Sequence, residues 1–553
     1  MLLRSFLEAA AGDYAPDATR EATLTRLKNF ISEERLATWD PGPDLTLVRV
    51  LDEPTQDGDT VKVTVQYVGT LDPEGQVEPG DGKVEQLRFL FKPVDGKAGL
   101  FLTNPPPVLL FDVAKLERFY LKLPIYFWNK NKTSLVPDLR YLPRALPAEQ
   151  HSNRLVDWLL KGPSPAVKEA VLELPTGASR ADLIIKDDTQ IKVNLVAAAS
   201  DADLEKLAIQ LYWTLVPPET EERVLLRVNR NEYAVDFATA RPWLTAFRPE
   251  SEPRLYVIAD GVLRRLKGSR GEQEPLLDGE KQNRGLVTAA VAHGERAFAL
   301  VRQEGDTQRL YVRAAGRPTR QVAFPSPGVA SLSGPVWLDR SAEVLMVLGD
   351  GKLWAVGARD TNASMVTATK GLPSGDITAF SVAPDGRRLA LVIGGRLHMA
   401  LLQRANATAG TFKIVEWQRV PVGSGFDGKL HGVGFIREDI VAVGTGGADE
   451  KVWLAEVTVD GALQKTYSTV QSGTVTNLTG YVEDGGRTDR PGKIMLDVNG
   501  KAYRAWPTQS FSDLEALVGK AVLPVPSPGP SASPSASPGT PAEASVSTAF
   551  FEG

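Results

Sequence analysis

Ala383-Pro384-Asp385-Gly386-Arg387-Arg388-Leu389-Ala390-Leu391-Val392 reads as a turn followed by a strand. Pro-Asp-Gly supplies the turn: proline presets φ, aspartate bonds back to the chain, and glycine takes a left-handed conformation. The run after it is apolar without alternation, as a strand covered on both faces requires. Moving outward, similar apolar strands are centred on Val257, Leu300, Met346, Leu391, Ala442 and Met495. Their separations run from about 43 to about 53 residues, close to what one four-stranded propeller blade consumes. A second strand follows each, at 261–263, 310–312, 351–353, 395–397, 451–453 and 502–503. About 290 residues of evenly spaced hairpins exceed one β-sandwich, so the expectation is a β-propeller over 234–523 with five to six blades.

The 553 residues demand further domains before it. Residues 1–121 mix helix and strand signals: Leu24, Leu27, Phe30 and Ile31 keep the helical period, and 45–50, 61–68 and 87–91 read as strands. A helix is expected near 112–121, giving an α+β domain with a helix on a curved antiparallel sheet. The start, Met1 to Leu7, reads as a turn of a folded helix rather than a signal peptide. Residues 122–233 open with Ile125-Tyr126-Phe127-Trp128, a turn at 129–132, and a return strand reaching Tyr141-Leu142. One helix carries Leu155, Trp158 and Leu159 and stops at Gly162-Pro163. Another begins at Ser200 and Asp203 with capping-box spacing. With strands near 171–174, 191–196 and 224–228 this is a compact α/β module. Residues 524–553 are rich in Pro, Ser and Ala and are expected to form a disordered, solubilising tail.

Composition removes several chemistries. The chain has no cysteine, so disulfides, thiolate metal sites and a cysteine nucleophile are excluded. Four histidines, His151, His293, His398 and His431, stand far apart with no pair at ligand spacing. A net charge of -5 gives no field to recruit nucleic acid or an anionic membrane. No apolar run approaches the roughly 20 residues of a membrane-spanning helix. Gly423-Ser424-Gly425-Phe426-Asp427-Gly428 has dinucleotide-binding glycine spacing, but 429–435 cannot sustain the helix that must follow, so it reads as an inter-blade loop. Gly444 to Lys451 lacks the Gly-Lys-Ser/Thr ending of a phosphate loop, and there is no Gly-x-Ser-x-Gly elbow. Asp187-Asp188 reads as a turn rather than an acid–base pair. No catalytic residue, cofactor site or metal site is expected. The aromatic residues Tyr126, Trp128 and Tyr141 are the candidate partner-binding surface, weighed against a core role for alternate members.

The order of these segments resembles the LpqB family of actinobacterial lipoproteins up to the low-complexity tail. Ile125-Tyr126-Phe127-Trp128 leading to Leu135-Val136-Pro137-Asp138-Leu139-Arg140-Tyr141 carries the resemblance, with Lys161-Gly162-Pro163-Ser164-Pro165 and Gln210-Leu211-Tyr212-Trp213-Thr214-Leu215. So does Val392-Ile393-Gly394-Gly395-Arg396-Leu397. Residues 1–121 resemble an NTF2-like domain, and residues 122–233 resemble a GerMN domain. The resemblance implies a non-enzymatic scaffold, lipid-anchored on the outer face of the cell membrane. Its implied partner is the extracytoplasmic domain of the Mtr two-component sensor histidine kinase, without nucleic acid. The family's lipidated cysteine is missing from this sequence, so either the chain starts late and the anchor lies upstream of Met1, which the helix-like start favours, or this member is not anchored. The alternative is a propeller enzyme or ligand sensor acting on envelope glycans, marked by two carboxylates in one channel about 5 to 10 Å apart.

Overall fold

The structure is a computed structural model describing residues 2–11, 18–175, 177–187, 189–216, 222–229, 231–244, 254–267, 272–277, 283–314, 316–325, 328–338, 340–405, 411–447, 450–482, 492–505, 515–516 and 546–553. The Pro384-Asp385-Gly386 turn forms as its residues dictate. One carboxylate oxygen of Asp385 accepts the backbone N–H groups of Arg387 and Arg388 at 2.7 and 3.0 Å. The other takes Arg388 Nε at 2.6 Å. Gly386 sits at φ 66°, and a Cβ there would lie 3.0 Å from the Leu338 carbonyl of the neighbouring blade. The strand that follows, Arg388–Ile393, is buried along its whole length.

Six four-stranded antiparallel arrays repeat this design, one of them carrying an extra outer strand. Blade 2 runs Leu286–Val291, Ala297–Glu304, Thr307–Ala314 and Arg320–Gln321; blade 3 runs Leu332–Trp337, Val344–Gly349, Lys352–Gly357 and Ser364–Met365. Blade 4 is Ile377–Val382, Arg388–Ile393, Arg396–Arg404 and Phe412–Arg419, with Thr367–Ala368 on its outer edge. Blade 5 is Leu430–Arg437, Ile440–Thr445, Lys451–Thr458 and Gln464–Ser472; blade 6 is Val475–Tyr481, Lys493–Val498, Lys501–Ala505 and Glu515–Ala516. Every strand centre expected from the sequence lies in the second strand of a blade. These strands are sandwiched between neighbouring blades, which is why their centres are apolar runs instead of alternating.

Blade 1 corrects the expected tail. Its strands Leu255–Ala259, Val262–Lys267 and Glu272–Pro275 lack an inner member, which the chain supplies from its far end: Val546–Phe551 pairs antiparallel with 255–259, Leu255 opposite Phe551. Ala549, Phe550 and Phe551 are buried there. A six-residue run with β-branched and aromatic side chains has enough apolar surface to complete a three-stranded blade, although the stretch before it does not. Among the described residues the propeller has six blades, and it closes its ring by joining residues from both ends of its sequence. Residues 524–545 lie outside the described residues.

In the first domain a sheet ordered Leu100–Leu102, Val84–Pro93, Thr60–Leu71, Leu45–Val50, Leu109–Asp112 packs against Leu2–Ala9, which buries Leu3, Phe6 and Leu7. The helix expected over 112–121 is shorter. Asp112 caps a 3-10 turn, Val113–Lys115, by accepting from Ala114 N–H; the helix Leu116–Phe119 follows, and by Tyr120 the chain is a strand. Pro124 disfavours helix just before it, and the strand gains a partner in Leu135–Pro143.

The second domain contains the two expected helices, Ala148–Lys161 and Asp201–Leu215; the Ser200 side chain accepts from Asp203 N–H. The second helix connects the parallel strands Gln190–Val196 and Arg223–Val228, a crossover that parallel pairing requires. The strand expected near 171–174 is absent; Val171 makes an isolated bridge to Asn129.

Candidate functional site

The strands Tyr120–Trp128 and Leu135–Pro143 form a two-stranded hairpin belonging to no larger sheet. Such a hairpin is marginal alone. Here all the domains cover it. Its edge facing the second domain is held by Tyr126 N–H on Thr214 Oγ1 at 3.2 Å and by Trp128 Nε1 on the Lys206 carbonyl at 2.9 Å. Toward the first domain, Tyr141 N–H donates to the Gly75 carbonyl at 2.8 Å. Gly75, at φ 72°, has no room for a Cβ, which would lie 2.8 Å from the Trp158 ring.

Toward the propeller, the Tyr126 hydroxyl donates to the Glu438 carboxylate. Lys122 Nζ lies 2.6 Å from Asp439 Oδ2, and Arg437 Nε 3.5 Å from Asp439 Oδ1. Burial would raise the Asp439 carboxyl, but the charges of Lys122 and Arg437 outweigh it and hold that group below the usual carboxylate range. Burial, with Asp460 adding its charge, drives the Tyr141 hydroxyl well above the ordinary tyrosine range. A fully buried ion pair, Arg140 with Asp138 at 2.7 Å, ties the junction further. Arg140 reaches the carbonyls of Glu74 and Gly162, each at 3.1 Å, while Asp138 accepts Ser164 N–H and Oγ.

Direct contacts also join the first domain to the propeller: Gln66 Nε2 donates to the Val422 carbonyl at 2.9 Å, Arg419 Nη1 to the Asp81 carbonyl at 2.8 Å and Arg49 Nη2 to the Gly461 carbonyl at 3.5 Å, and Ala462 packs into the first domain's core. One continuous apolar core runs from Ile125 through the helices at 155–159 and 204–215 into blades 4 and 5, including Leu397, Val433 and Val441.

This placement corrects the candidate partner-binding surface. Tyr126, Trp128 and Tyr141 are 0, 5 and 1% exposed. They are packing residues at the junction, each stabilising by about 1.5–3 kcal/mol through burial. A third covering domain hides the face that alternation alone would leave outside, and no local spacing signals that. The large apolar side chains that do reach solvent include Leu183, Ile185 and Val196, on or beside the outer strands of the second domain's sheet.

The other motifs resolve simply. The glycine-spaced 423–428 segment is a turn between blades 4 and 5, with Phe426 and Asp427 N–H donating to the Gly423 carbonyl and Asp427 gripping Arg419 at 2.9 Å. Lys451 begins a strand. Asp187 accepts the N–H groups of Thr189 and Gln190 as a turn residue, and Asp188 lies outside the described residues. Among the described residues no group of three or more potential metal ligands occurs, and no helix is long and apolar enough to cross a membrane.

The inner strands of the six blades surround a central channel. At the end where those strands finish, a cavity of about 140 Å³ is walled by Trp337, Phe380, Phe435, Tyr481 and Phe550. Among the described residues, Glu552 is the acidic side chain that lines it.

Comparison with known proteins follows the same division. Residues 261–486 match the family described as the lipoprotein LpqB beta-propeller domain, and residues 124–234 match the family described as sporulation and spore germination. Lipoprotein LpqB of Nocardia farcinica is 25% identical over 84% of this chain and 79% of its own length. That of Corynebacterium jeikeium is 24% identical over 95% and 88%. That of Thermobifida fusca is 28% identical over 48% of this chain and 44% of its own length. With a domain matching the sporulation and spore germination family joined through an aromatic hairpin to a propeller matching the LpqB propeller family, the chain is similar to the LpqB lipoproteins.

Proposed function

We propose that this protein is a non-enzymatic scaffold of the cell envelope, held at the outer face of the membrane by a lipid anchor like the one its relatives' name implies. Its partner is the extracytoplasmic domain of the Mtr sensor histidine kinase. The observation that carries the reading is the hairpin at 120–143, whose aromatic and charged groups are spent joining three domains. A body of that kind presents surfaces in set relative positions. It biases a kinase when the two signalling states bind those surfaces with different affinity.

Reconstitution tests this. The sensor kinase in liposomes, with the lipidated protein added on the extracytoplasmic side, should bind it and change its autophosphorylation rate. The double substitution Leu183→Glu, Ile185→Glu, on the exposed edge of the second domain, should weaken binding without altering the fold. Proven binding with an unchanged autophosphorylation rate would leave a structural envelope protein and remove the signalling role.

A further inference from the structure

Blade 2 concentrates positive charge beyond what its own acids balance. Residues 296–320 hold six arginines against two acids, in a chain whose net charge is -5. Arg309, Tyr311 and Arg313 alternate along the strand Thr307–Ala314, so they share one face, while Leu310 and Val312 are buried on the other. Arg302 stands directly opposite Arg309 on the neighbouring strand. Like charges so placed destabilise a sheet, which points to a role outside the fold. Arg302 is held over the Tyr311 ring at 4.8 Å and lies 4.0 Å from Glu304, and the Tyr311 hydroxyl donates to Glu304 at 2.6 Å. These contacts fix the middle of the row.

Counter-charge is short along the rest of it. Among the described residues, Arg309, Arg313 and Arg317 form no ion pair. Glu272 and Glu274, on the outer strand of blade 1, stand opposite Lys267 and Arg265 of their own sheet. Tyr311 packs against the core shared by blades 1 and 2, as Leu276 does, so the row runs along the cleft between those blades. A four-residue step in a strand is about 13 Å, the distance between carboxylates at positions i and i+4 of an extended peptide. Each guanidinium fork can take one carboxylate through two parallel N–H bonds. A flat lipid surface meets the rim of such a cleft; an extended chain lies along it.

We propose that the row from Arg309 to Arg313 is a docking surface for an extended acidic segment of a partner protein. Carboxylates of the segment pair with Arg309 and Arg313, Arg317 takes another beyond the end of the strand, and their charge relieves the repulsion between Arg302 and Arg309. The surface is separate from the exposed edge at Leu183 and Ile185. It holds whichever protein supplies the segment, so it stands or falls apart from the kinase reading.

Fluorescence anisotropy with the full chain at pH 7 tests it, using a rhodamine-labelled peptide of alternating Glu and Thr and the same peptide with Gln in place of Glu. At about 50 mM salt the Glu peptide should bind saturably, at least about tenfold tighter than the Gln peptide, and should weaken at least about tenfold at about 300 mM, as screening of exposed charge requires. Arg309→Glu with Arg313→Glu should cut its affinity at least about tenfold without lowering the melting temperature, because the change also removes a repulsive pair. Lys352→Glu with Lys451→Glu shifts the net charge equally at exposed positions of blades 3 and 5 and should leave binding within about twofold. No saturable binding, or equal losses in the two double variants, would overturn the proposal. Binding to phosphatidylglycerol vesicles that Arg309→Glu with Arg313→Glu abolishes, without binding of the Glu peptide, would overturn it in favour of an anionic lipid surface.

Discussion

The hydroxyl of Tyr126 donates to the carboxylate of Glu438, a residue 312 positions later in the chain. Both side chains are buried, at 0 and 1% exposure, and the bond crosses from the hairpin to the turn between the first two strands of blade 5. Tyr126→Phe keeps the ring and removes this bond to a buried carboxylate, so it should cost about 1–3 kcal/mol. Denaturant unfolding followed by tryptophan fluorescence measures this. A second, earlier transition for the propeller would show that the substitution uncouples it from the rest.

Next to that bond, Lys122 neutralises Asp439. Lys122→Met leaves the carboxylate buried with Arg437 at 3.5 Å as its remaining cation, and the expected loss is about 3 kcal/mol, the low end for a broken buried pair. The sign with pH follows from the depressed Asp439 carboxyl. Its contribution is present above the ordinary aspartate range and is lost as pH falls through the lower folded value. Melting curves from pH 3 to pH 7 should show the parent losing stability on acidification more steeply than Lys122→Met. The double variant Lys122→Met, Asp439→Asn should recover most of the loss.

Asp497 has the opposite sign. Burial pushes its carboxyl from 3.8 up to about 7, with the Ala549 N–H and the Asn477 amide pulling partly back. Between those values the folded chain holds a proton that the unfolded chain has released, so stability falls as pH rises across that window and is flat above it. Asp497→Asn keeps an acceptor for Ala549 N–H, 3.1 Å away, and removes the titration. It should melt higher than the parent at pH 8 and show little change between pH 5 and pH 8.

Ring closure gives a further test. Removing residues 546–553 uncovers the paired edge of Leu255–Ala259 and the ring of Tyr256, which stacks on Phe550 at 5.7 Å. An open propeller with a bare apolar edge should aggregate or lose its cooperative melt. A synthetic peptide of residues 544–553 added in trans should restore the melt if the strand acts as a separable closing element.

The propeller is legible in the sequence because its signal is repetitive: six buried second strands, each with an apolar run at its centre, announce themselves at near-constant spacing. Helix caps are legible for a similar reason, since Ser200 and Asp203 carry their geometry in nearby positions. The closing strand at 546–551 escapes such a reading because a single short run after a Pro/Ser/Ala stretch has no periodicity of its own. The hint is indirect: the first blade shows too few strands before Leu286. Tyr126, Trp128 and Tyr141 read as a candidate surface because alternation says which residues share a face but not how many domains cover that face. The cavity at the end of the inner strands is invisible for the same reason, since Trp337, Phe380 and Phe435 come from three blades and line it only after the ring has closed.

Hydrogen exchange by mass spectrometry tests the central claim, that the hairpin joins the three domains into one body. In the full chain, amides of peptides covering 120–143 should exchange as slowly as those of the propeller strands at 388–393 and 440–445. Tyr126→Phe should then accelerate exchange in peptides covering 430–463 as well as in the hairpin. Rapid exchange of the hairpin while the propeller stays protected, or a Tyr126→Phe effect confined to the hairpin, would contradict the account.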